Sequence, residues 1–154
     1  MYRVITVAID GSPTASTAFA SAVDLARHYG SELVVIAVAP LSPVFVTPNE
    51  PFVPPVVPES PLPQFRTLVE SAVREAKEAG VTAVTGVCYD GVVVDEILAH
   101  LANHPTDLLV VGSRGLSTAK RILLGSTSTA LVTHAPCAVL VVRPASTKPP
   151  GASA

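Results

Sequence analysis

Charged residues are scarce in this 154-residue sequence, and a long apolar run is missing. Lys, Arg, Asp and Glu make up 14% of the chain, and the formal net charge is −2. This balance gives no electrostatic reason to expect a nucleic acid or an anionic membrane as a partner. No apolar run approaches the roughly 18 residues that cross a bilayer, and the start "MYRVITVAIDGS" lacks the features of a signal peptide. These absences predict a cytoplasmic protein.

Cysteine is rare and tryptophan is absent. The two cysteines, Cys88 and Cys137, are far apart and form no CxxC motif. We interpret them as free buried thiols, with a disulfide or metal pair as the minor alternative. Hydrophobic residues, mostly Val, Ala and Leu, make up 49% of the chain. At this length they are enough for the core of one packed domain.

Continuous β-rich runs alternate with segments whose apolar residues recur at helical spacing. The predicted strands are 4–9, 32–40, 81–89, 107–112 and 137–142, and the predicted helices are 13–29, 65–79, 92–103 and 126–133. Such alternation predicts a single doubly wound α/β domain with a parallel sheet and right-handed crossovers. In such sheets ligands lie at the carboxyl ends of the strands, where the strand order reverses. We therefore expect the first and fourth strands to be neighbours that flank a site.

Proline is concentrated in one stretch, residues 40–63, which holds more than half of the chain's 15 prolines. Neither a helix nor a β-ladder tolerates that density, so the stretch is predicted to be a long extended loop. Its Val and Phe residues indicate packing on a surface of the domain itself or of a protein partner. The tail, residues 145–154, is predicted to be disordered.

The segment "GSRGLSTAKRILLGST" follows the fourth predicted strand. Its glycines, Gly112, Gly115 and Gly125, permit close approach of the backbone to a ligand, and its hydroxyl groups donate hydrogen bonds. Converging N–H groups at a loop and a helix N-terminus hold phosphate oxygens well. An ordinary turn is the alternative for two glycines, but the third glycine with its hydroxyl pair favours an anion site. The spacing matches neither the P-loop nor the dinucleotide fingerprint.

The pattern Gly-x2-Gly-x9-Gly-Ser/Thr resembles the ATP-binding signature of the universal stress protein family. The stretches "VAIDGS", "DLLVVGSRG" and "HAPCAVLVV" are also similar to that family and occur in the right order, so the resemblance covers residues 1–144. It implies a five-stranded parallel sheet in the order 3-2-1-4-5 with helices on both faces. It also implies a homodimer and ATP as the ligand, with Mg²⁺ bound through the phosphates. We expect the dimer to form through the last strand, residues 138–142.

The resemblance also implies roles for individual residues. Asp10 would lie near the adenosine, the backbone of Val38 would face the base, and the motif residues would contact the ribose and phosphates. The motif residues so assigned are Val111, Gly112, Arg114, Gly115, Gly125, Ser126, Thr127 and, as a weaker candidate, Ser128. The proline-rich stretch 40–63 departs from the family pattern and leaves the contacts around Val38 open.

Several alternatives stay open at this point. Asp10 could cap the first helix together with Ser12, with or without a ligand contact. His100 and His104 could hold a metal, although stabilisation of a helix C-terminus is the favoured interpretation. For the whole chain, a nucleotide-dependent regulator with at most slow hydrolysis is favoured over an adenylating or phosphotransferase enzyme. A nucleotide-free interaction module is the third class.

Overall fold

The computed structural model describes residues 1–41, 59–114 and 124–144. Strands and helices alternate through these residues. They are β1 (Val4–Ala8), α1 (Pro13–Tyr29), β2 (Glu32–Pro40), α2 (Leu62–Glu78), β3 (Val84–Gly91), α3 (Val93–Asn103), β4 (Leu108–Gly112), α4 (Ser126–His134) and β5 (Ala138–Val142). Residues 42–58 of the proline-rich stretch, residues 115–123 with Gly115, and the tail lie outside the described residues.

The five strands form one parallel sheet in the order β3-β2-β1-β4-β5. The central strand β1 pairs with β2 on one side and with β4 on the other, with Ile5 opposite both Leu33 and Leu108. The fold class, the strand order and the adjacency of the first and fourth strands are therefore confirmed. The strand order reverses between β1 and β4, and this junction leaves room for a ligand at the carboxyl ends.

The helix α1 begins and ends where its local sequence predicts. The Ser12 side chain accepts a hydrogen bond from the Ala15 N–H (3.2 Å), and Pro13 occupies the first turn, where its missing N–H costs nothing. At the other end Gly30 adopts the left-handed conformation with φ 65° and closes the helix. These caps fix the N-terminus of α1 directly after the carboxyl end of β1.

The helices cover both faces of the sheet. On one face α1 and α2 pack over alternate strand residues such as Val7, Leu33 and Val35. On the other face α3 and α4 pack over the intervening residues, including Ile36, Leu109 and Val111. Since successive side chains of a strand point to opposite faces, strands covered on both sides are apolar throughout, as the sequence of β2 shows.

Two element boundaries differ from the sequence prediction by three residues, and the others agree within two. The helix α2 begins at Leu62 instead of residue 65, because proline in a first turn removes only an N–H that has no helical partner. The strand β3 begins at Val84 instead of residue 81. Val81 is buried, but its N–H donates to the Ala76 carbonyl and closes the turn after α2. At Val81 an apolar residue is buried in a turn instead of a strand, so burial alone did not predict the backbone conformation.

No helix among residues 1–41, 59–114 and 124–144 is long and apolar enough to cross a membrane. Cys88 and Cys137 are free thiols, as predicted, but they are half-buried rather than buried. Partial burial raises the pKa of both thiols.

Candidate functional site

A cleft of about 310 Å³ opens at the carboxyl ends of β1, β2 and β4. Most of its lining lies on the face of the sheet that α3 and α4 cover, while Ile9, Ala15 of α1 and Phe65 of α2 line it from the other face. The lining residues are Ala8, Ile9, Asp10, Ala15, Ile36, Val38, Pro40, Phe65, Val93, Ile97, Val111, Gly112, Arg114, Thr127, Ser128 and Leu131. The cleft therefore occupies the position that the strand-order reversal predicts for a ligand.

One part of the cleft is built entirely from aliphatic side chains. Val38 and Val111 rise from the sheet, while Ile97 and Leu131 descend from α3 and α4, and all four belong to the same buried cluster. Their exposed fractions are 5% or less. This part offers a dry, shape-defined surface that suits a flat apolar group rather than a charged one.

Asp10 lines the cleft and does not itself cap α1. Its carboxylate Oδ1 accepts a hydrogen bond from the Ser12 N–H (2.8 Å), which tightens the turn before α1. The side chain of Ser12, not that of Asp10, caps the helix. Asp10 is half-buried and lines the cleft, so its second oxygen can still accept a hydrogen bond from a ligand.

Gly112 is required for a reason that the sequence did not indicate. A Cβ at this position would lie 2.8 Å from the Thr14 carbonyl carbon and 3.0 Å from the Ala15 nitrogen. These are backbone atoms in the first turn of α1, and they cannot move aside as a flexible side chain would. The glycine therefore allows the end of β4 to lie against the N-terminus of α1.

The carbonyl groups that follow the end of β4 are all occupied by donors. The Gly112 carbonyl accepts from the Ser128 hydroxyl (3.0 Å), and the Ser113 carbonyl accepts from the Gly125 N–H (2.7 Å). The Arg114 carbonyl accepts from the Thr14 hydroxyl. Ser128 lines the cleft, but its hydroxyl proton is directed to Gly112, so this residue supports the strand end instead of offering a donor to a ligand.

The helix α4 begins beside the cleft without a side-chain cap. Gly125 precedes it in an extended conformation (φ −71°, ψ 162°) and provides no side-chain acceptor. The first N–H groups of a helix have no intrahelical partner, and together with the helix dipole they favour an anion. Ser126 is exposed at this end, and Thr127 is half-buried and lines the cleft.

Arg114 brings the one cationic side chain among the described lining residues. Its Nε atom is buried and has no hydrogen-bond partner in the described part of the chain. A buried guanidinium N–H without an acceptor is costly, so a bound anion or carbonyl oxygen would relieve this cost. The sequence assigned Arg114 through its backbone, whereas the structure makes its side chain the stronger feature.

The structure brings most of the residues assigned from the sequence to one place. Those that line the cleft are Asp10, Val38, Val111, Gly112, Arg114, Thr127 and Ser128. Gly125 and Ser126 stand beside it at the start of α4. Gly115 lies outside the described residues. The sequence did not single out the aliphatic walls from α3 and α4, because apolar residues at helical spacing predict a core and not a pocket.

The geometry of His100 and His104 at the end of α3 does not suit a metal clamp. The two rings stack with centroids 4.3 Å apart and planes 15° apart, so their in-plane lone pairs cannot converge on one ion. His100 is 5% exposed, and its Nδ1 pairs with the Tyr89 hydroxyl (3.0 Å). Burial and then the neighbouring His104 lower the pKa of His100. The lowered pKa disfavours the cation that the helix-end interpretation requires at His100. No cluster of three metal-ligating side chains occurs within 1–41, 59–114 and 124–144.

Comparison with known proteins identifies the family. The model of the Universal stress protein family matches residues 1–143. The chain belongs to the universal stress protein family. Universal stress protein YxiE of Bacillus subtilis is 34% identical over 151 residues, which cover 93% of this chain and 100% of that protein. The membership of this family that the sequence implied is thereby confirmed.

Solved structures of the family share the fold. UspA from Lactobacillus plantarum has a TM-score of 0.67 at 27% identity and covers 92% of this chain and 98% of its own. A universal stress protein in complex with cAMP has a TM-score of 0.66 at 24% identity and covers 92% and 97%, respectively. At 24% identity this similarity is evidence for a shared fold only.

Proposed function

We propose that this protein is an ATP-binding regulator of the stress response that acts in the cytoplasm as a homodimer. The observation that carries the proposal is a single cleft with an aliphatic part at one end and an uncapped helix N-terminus with Arg114 at the other. A nucleotide has the same division between an apolar base and an anionic phosphate chain. Family membership and the family member solved with cAMP, an adenine nucleotide, support this ligand class.

The base and the phosphates would contact different residues of the cleft. The base packs between Val38 and Val111 of the sheet and the helix residues Ile97 and Leu131, where aliphatic side chains exclude water. Asp10 accepts a hydrogen bond from the ribose with the oxygen that Ser12 leaves available. The phosphates lie at the start of α4, with Mg²⁺ bound through their oxygens. A volume of about 310 Å³ is at the lower end of the range for small-molecule sites.

ATP acts in this proposal as a conformational ligand with at most slow hydrolysis. Asp10 is the one carboxylate among the described residues that line the cleft. Its Oδ1 is committed to the Ser12 N–H. A phosphotransferase needs residues that hold metal ions and orient a nucleophile. A measurement of ATP turnover separates the two classes, because turnover at enzyme rates would favour the enzyme.

The decisive experiment has two parts. Purified protein is denatured and the released nucleotide is identified by chromatography, and ATP and adenosine are then titrated into nucleotide-free protein by calorimetry. We expect an adenine nucleotide in the first part and much weaker binding of adenosine than of ATP in the second. Equal affinity for both ligands, or no binding of either, would contradict the proposal.

Gly125→Val tests the phosphate end of the cleft. The backbone of Gly125 has φ −71°, which valine adopts readily, so the variant is expected to fold. Its side chain would cover the N–H groups at the start of α4, and most ATP affinity should be lost in calorimetry. Thr133→Val is the matched control, because it places the same side chain on an exposed position of the same helix. Wild-type affinity in Gly125→Val would remove the start of α4 from the site.

The homodimer forms in this proposal through β5, which is an edge strand of the sheet. Leu140 on this strand is 37% exposed and Val132 on the adjoining helix is 50% exposed, so apolar surface lies beside unpaired backbone groups. Two copies of β5 can pair antiparallel about a two-fold axis. Val141→Lys should shift the mass measured by light scattering toward the monomer, whereas an unchanged dimer would point to another interface. The proline-rich stretch 40–63 stays a predicted contact for a protein partner or a cover for the cleft.

A further inference from the structure

The three consecutive backbone carbonyls of Gly112, Ser113 and Arg114 at the end of β4 each accept a hydrogen bond from a different part of the chain, and Gly112 and Arg114 line the cleft. The donors are the Ser128 hydroxyl for Gly112, the Gly125 N–H for Ser113 and the Thr14 hydroxyl for Arg114. Two of the three donors are therefore side chains. Neither Thr14 nor Ser128 belongs to the glycine pattern that marks the segment.

Carbonyl oxygens carry partial negative charge and oppose an anion that lies near them. A hydroxyl proton on such an oxygen offsets its charge and also fixes its direction. Thr14 is 8% exposed and Ser128 is 3% exposed, so water cannot readily take their place as the donor. If either hydroxyl were removed, a carbonyl beside the cleft would lose its partner and could turn toward the ligand.

The packing around Gly112 makes the Thr14 contact possible. The absence of a Cβ at Gly112 lets the first turn of α1 approach within contact distance of the end of β4. Thr14 stands in that turn, and its hydroxyl is 3.4 Å from the Ser12 hydroxyl that caps α1. The position of Arg114 is therefore tied to the N-terminus of α1 through one side chain.

We propose that Thr14 and Ser128 are positioning residues for the phosphate groups of the ligand. They hold the carbonyls of Arg114 and Gly112, so that the groups left to face the anion are the Arg114 guanidinium and the first N–H groups of α4. This inference rests on the proposed nucleotide function and goes further by assigning phosphate selectivity in part to α1. It implies that removal of either hydroxyl lowers the affinity for ATP and leaves the affinity for adenosine unchanged.

Thr14→Val keeps the shape of the side chain and removes the donor, whereas Thr14→Ser keeps the donor. The dissociation constant for ATP should rise roughly two- to tenfold in Thr14→Val, the effect of one ordinary hydrogen bond, and stay near the wild-type value in Thr14→Ser. Adenosine, measured by competition, should bind both variants and the wild type alike. Thr17→Val is the matched control, since the Thr17 hydroxyl donates to the Pro13 carbonyl within the same helix instead of to a carbonyl of β4.

Ser128→Ala tests the same inference at the Gly112 carbonyl, which loses its donor in this variant. If circular dichroism shows that Thr14→Val does not fold, Ser128→Ala decides the inference. Thr133→Val is its control on α4, where the hydroxyl donates to the Thr129 carbonyl (2.8 Å). Wild-type ATP affinity in the folded variants would overturn the inference. Equal losses for ATP and adenosine would also overturn it, because they would show a merely structural role. A wild-type protein that does not bind ATP would instead overturn the proposed function, and this inference with it.

Discussion

On one face of the sheet, termed the closed face, α1 and α2 cover the larger buried cluster and leave a smaller groove of about 250 Å³ between the two helices. On the other face, termed the open face, α3 and α4 leave the cleft of about 310 Å³ at the carboxyl ends of the strands. Both faces are built from the same strands and the same aliphatic residue types. The two faces differ in how closely the covering helices approach the strands. On the closed face Gly112 and the small residues of α1, such as Ala18 and Ala22, bring helix and sheet close together.

The open face uses larger side chains around an unfilled space. Ile97 and Leu131 hold α3 and α4 over the sheet, and the space between them is filled only in part by protein atoms. A packed interior gains dispersion contacts on every side, and a cleft gives up some of these contacts until a ligand supplies them. The closed face holds the larger buried cluster and is thus expected to contribute more to stability, while part of the apolar surface of the open face lines the cleft.

The largest expected effect is that of Leu33→Ala on the closed face. Leu33 is fully buried, and removing most of its side chain leaves a cavity that the surrounding core cannot fill. The free energy of unfolding should fall by about 2 to 5 kcal/mol. ATP affinity of the remaining folded protein should stay unchanged, because the side chain points away from the cleft. Urea denaturation and calorimetry below the unfolding transition measure the two quantities.

Ile36→Ala is the matched variant on the open face. It should lower ATP affinity more, and stability less, than Leu33→Ala does. Ile36 is equally buried and lies three residues further along the same strand, but it lines the cleft. The loss of stability should be at the lower end of the same range of about 2 to 5 kcal/mol, since the new space joins the cleft. ATP affinity should fall roughly three- to tenfold, the effect of a few lost methylene contacts. If Leu33→Ala weakened ATP binding as much, the division between the two faces would not hold.

The smallest expected effect is a pH dependence from His100 on the open face. Its pKa is lowered from the ordinary value of 6.5, so near neutral pH the folded protein holds the ring uncharged. As the pH falls through 6.5 the unfolded chain takes up a proton before the folded one does. Stability is therefore complete above 6.5 and declines as the pH approaches the lower pKa of the folded state. Thermal unfolding at pH values from about 7.5 to 5.5 should show this decline.

His100→Phe is the variant that isolates this effect, because it keeps a ring against His104 and cannot take up a proton. Its unfolding temperature should change less over the same pH interval than that of the wild type. His104→Gln is the control, since His104 is exposed and its removal leaves the buried ring in place. A pH dependence that is the same in His100→Phe and the wild type would assign the effect to other groups.

Much of the fold could be predicted from the sequence because its signals are local. The cap at Ser12, the turn at Gly30 and the apolar run of β2 each depend on neighbouring residues only. The start of β3 could not be predicted in this way. Val81 is buried because it closes the turn after α2, and burial alone looks the same in a turn and in a strand.

The position of the cleft could be predicted from the sequence, and the contacts around it only in part. The glycine segment indicated the correct end of the sheet, but the role of Gly112 depends on the backbone of Thr14, almost a hundred residues earlier. The environment of His100 depends on Tyr89 across an interface between a strand and a helix. Contacts of this kind follow from tertiary packing and leave no spacing pattern in the sequence.

The pairing of β1 with β4 has a consequence for the order in which the chain can fold. Ile5 and Leu108 are partners in the sheet, so the central strand has an unpaired edge until about two thirds of the chain has been synthesised. Ser128, which holds the Gly112 carbonyl, leaves the ribosome later still. Contacts so distant in sequence form late, because the entropy of closing the long intervening loop opposes them. A growing chain therefore has no complete cleft until Leu131 of α4, the last of the lining residues, has been synthesised.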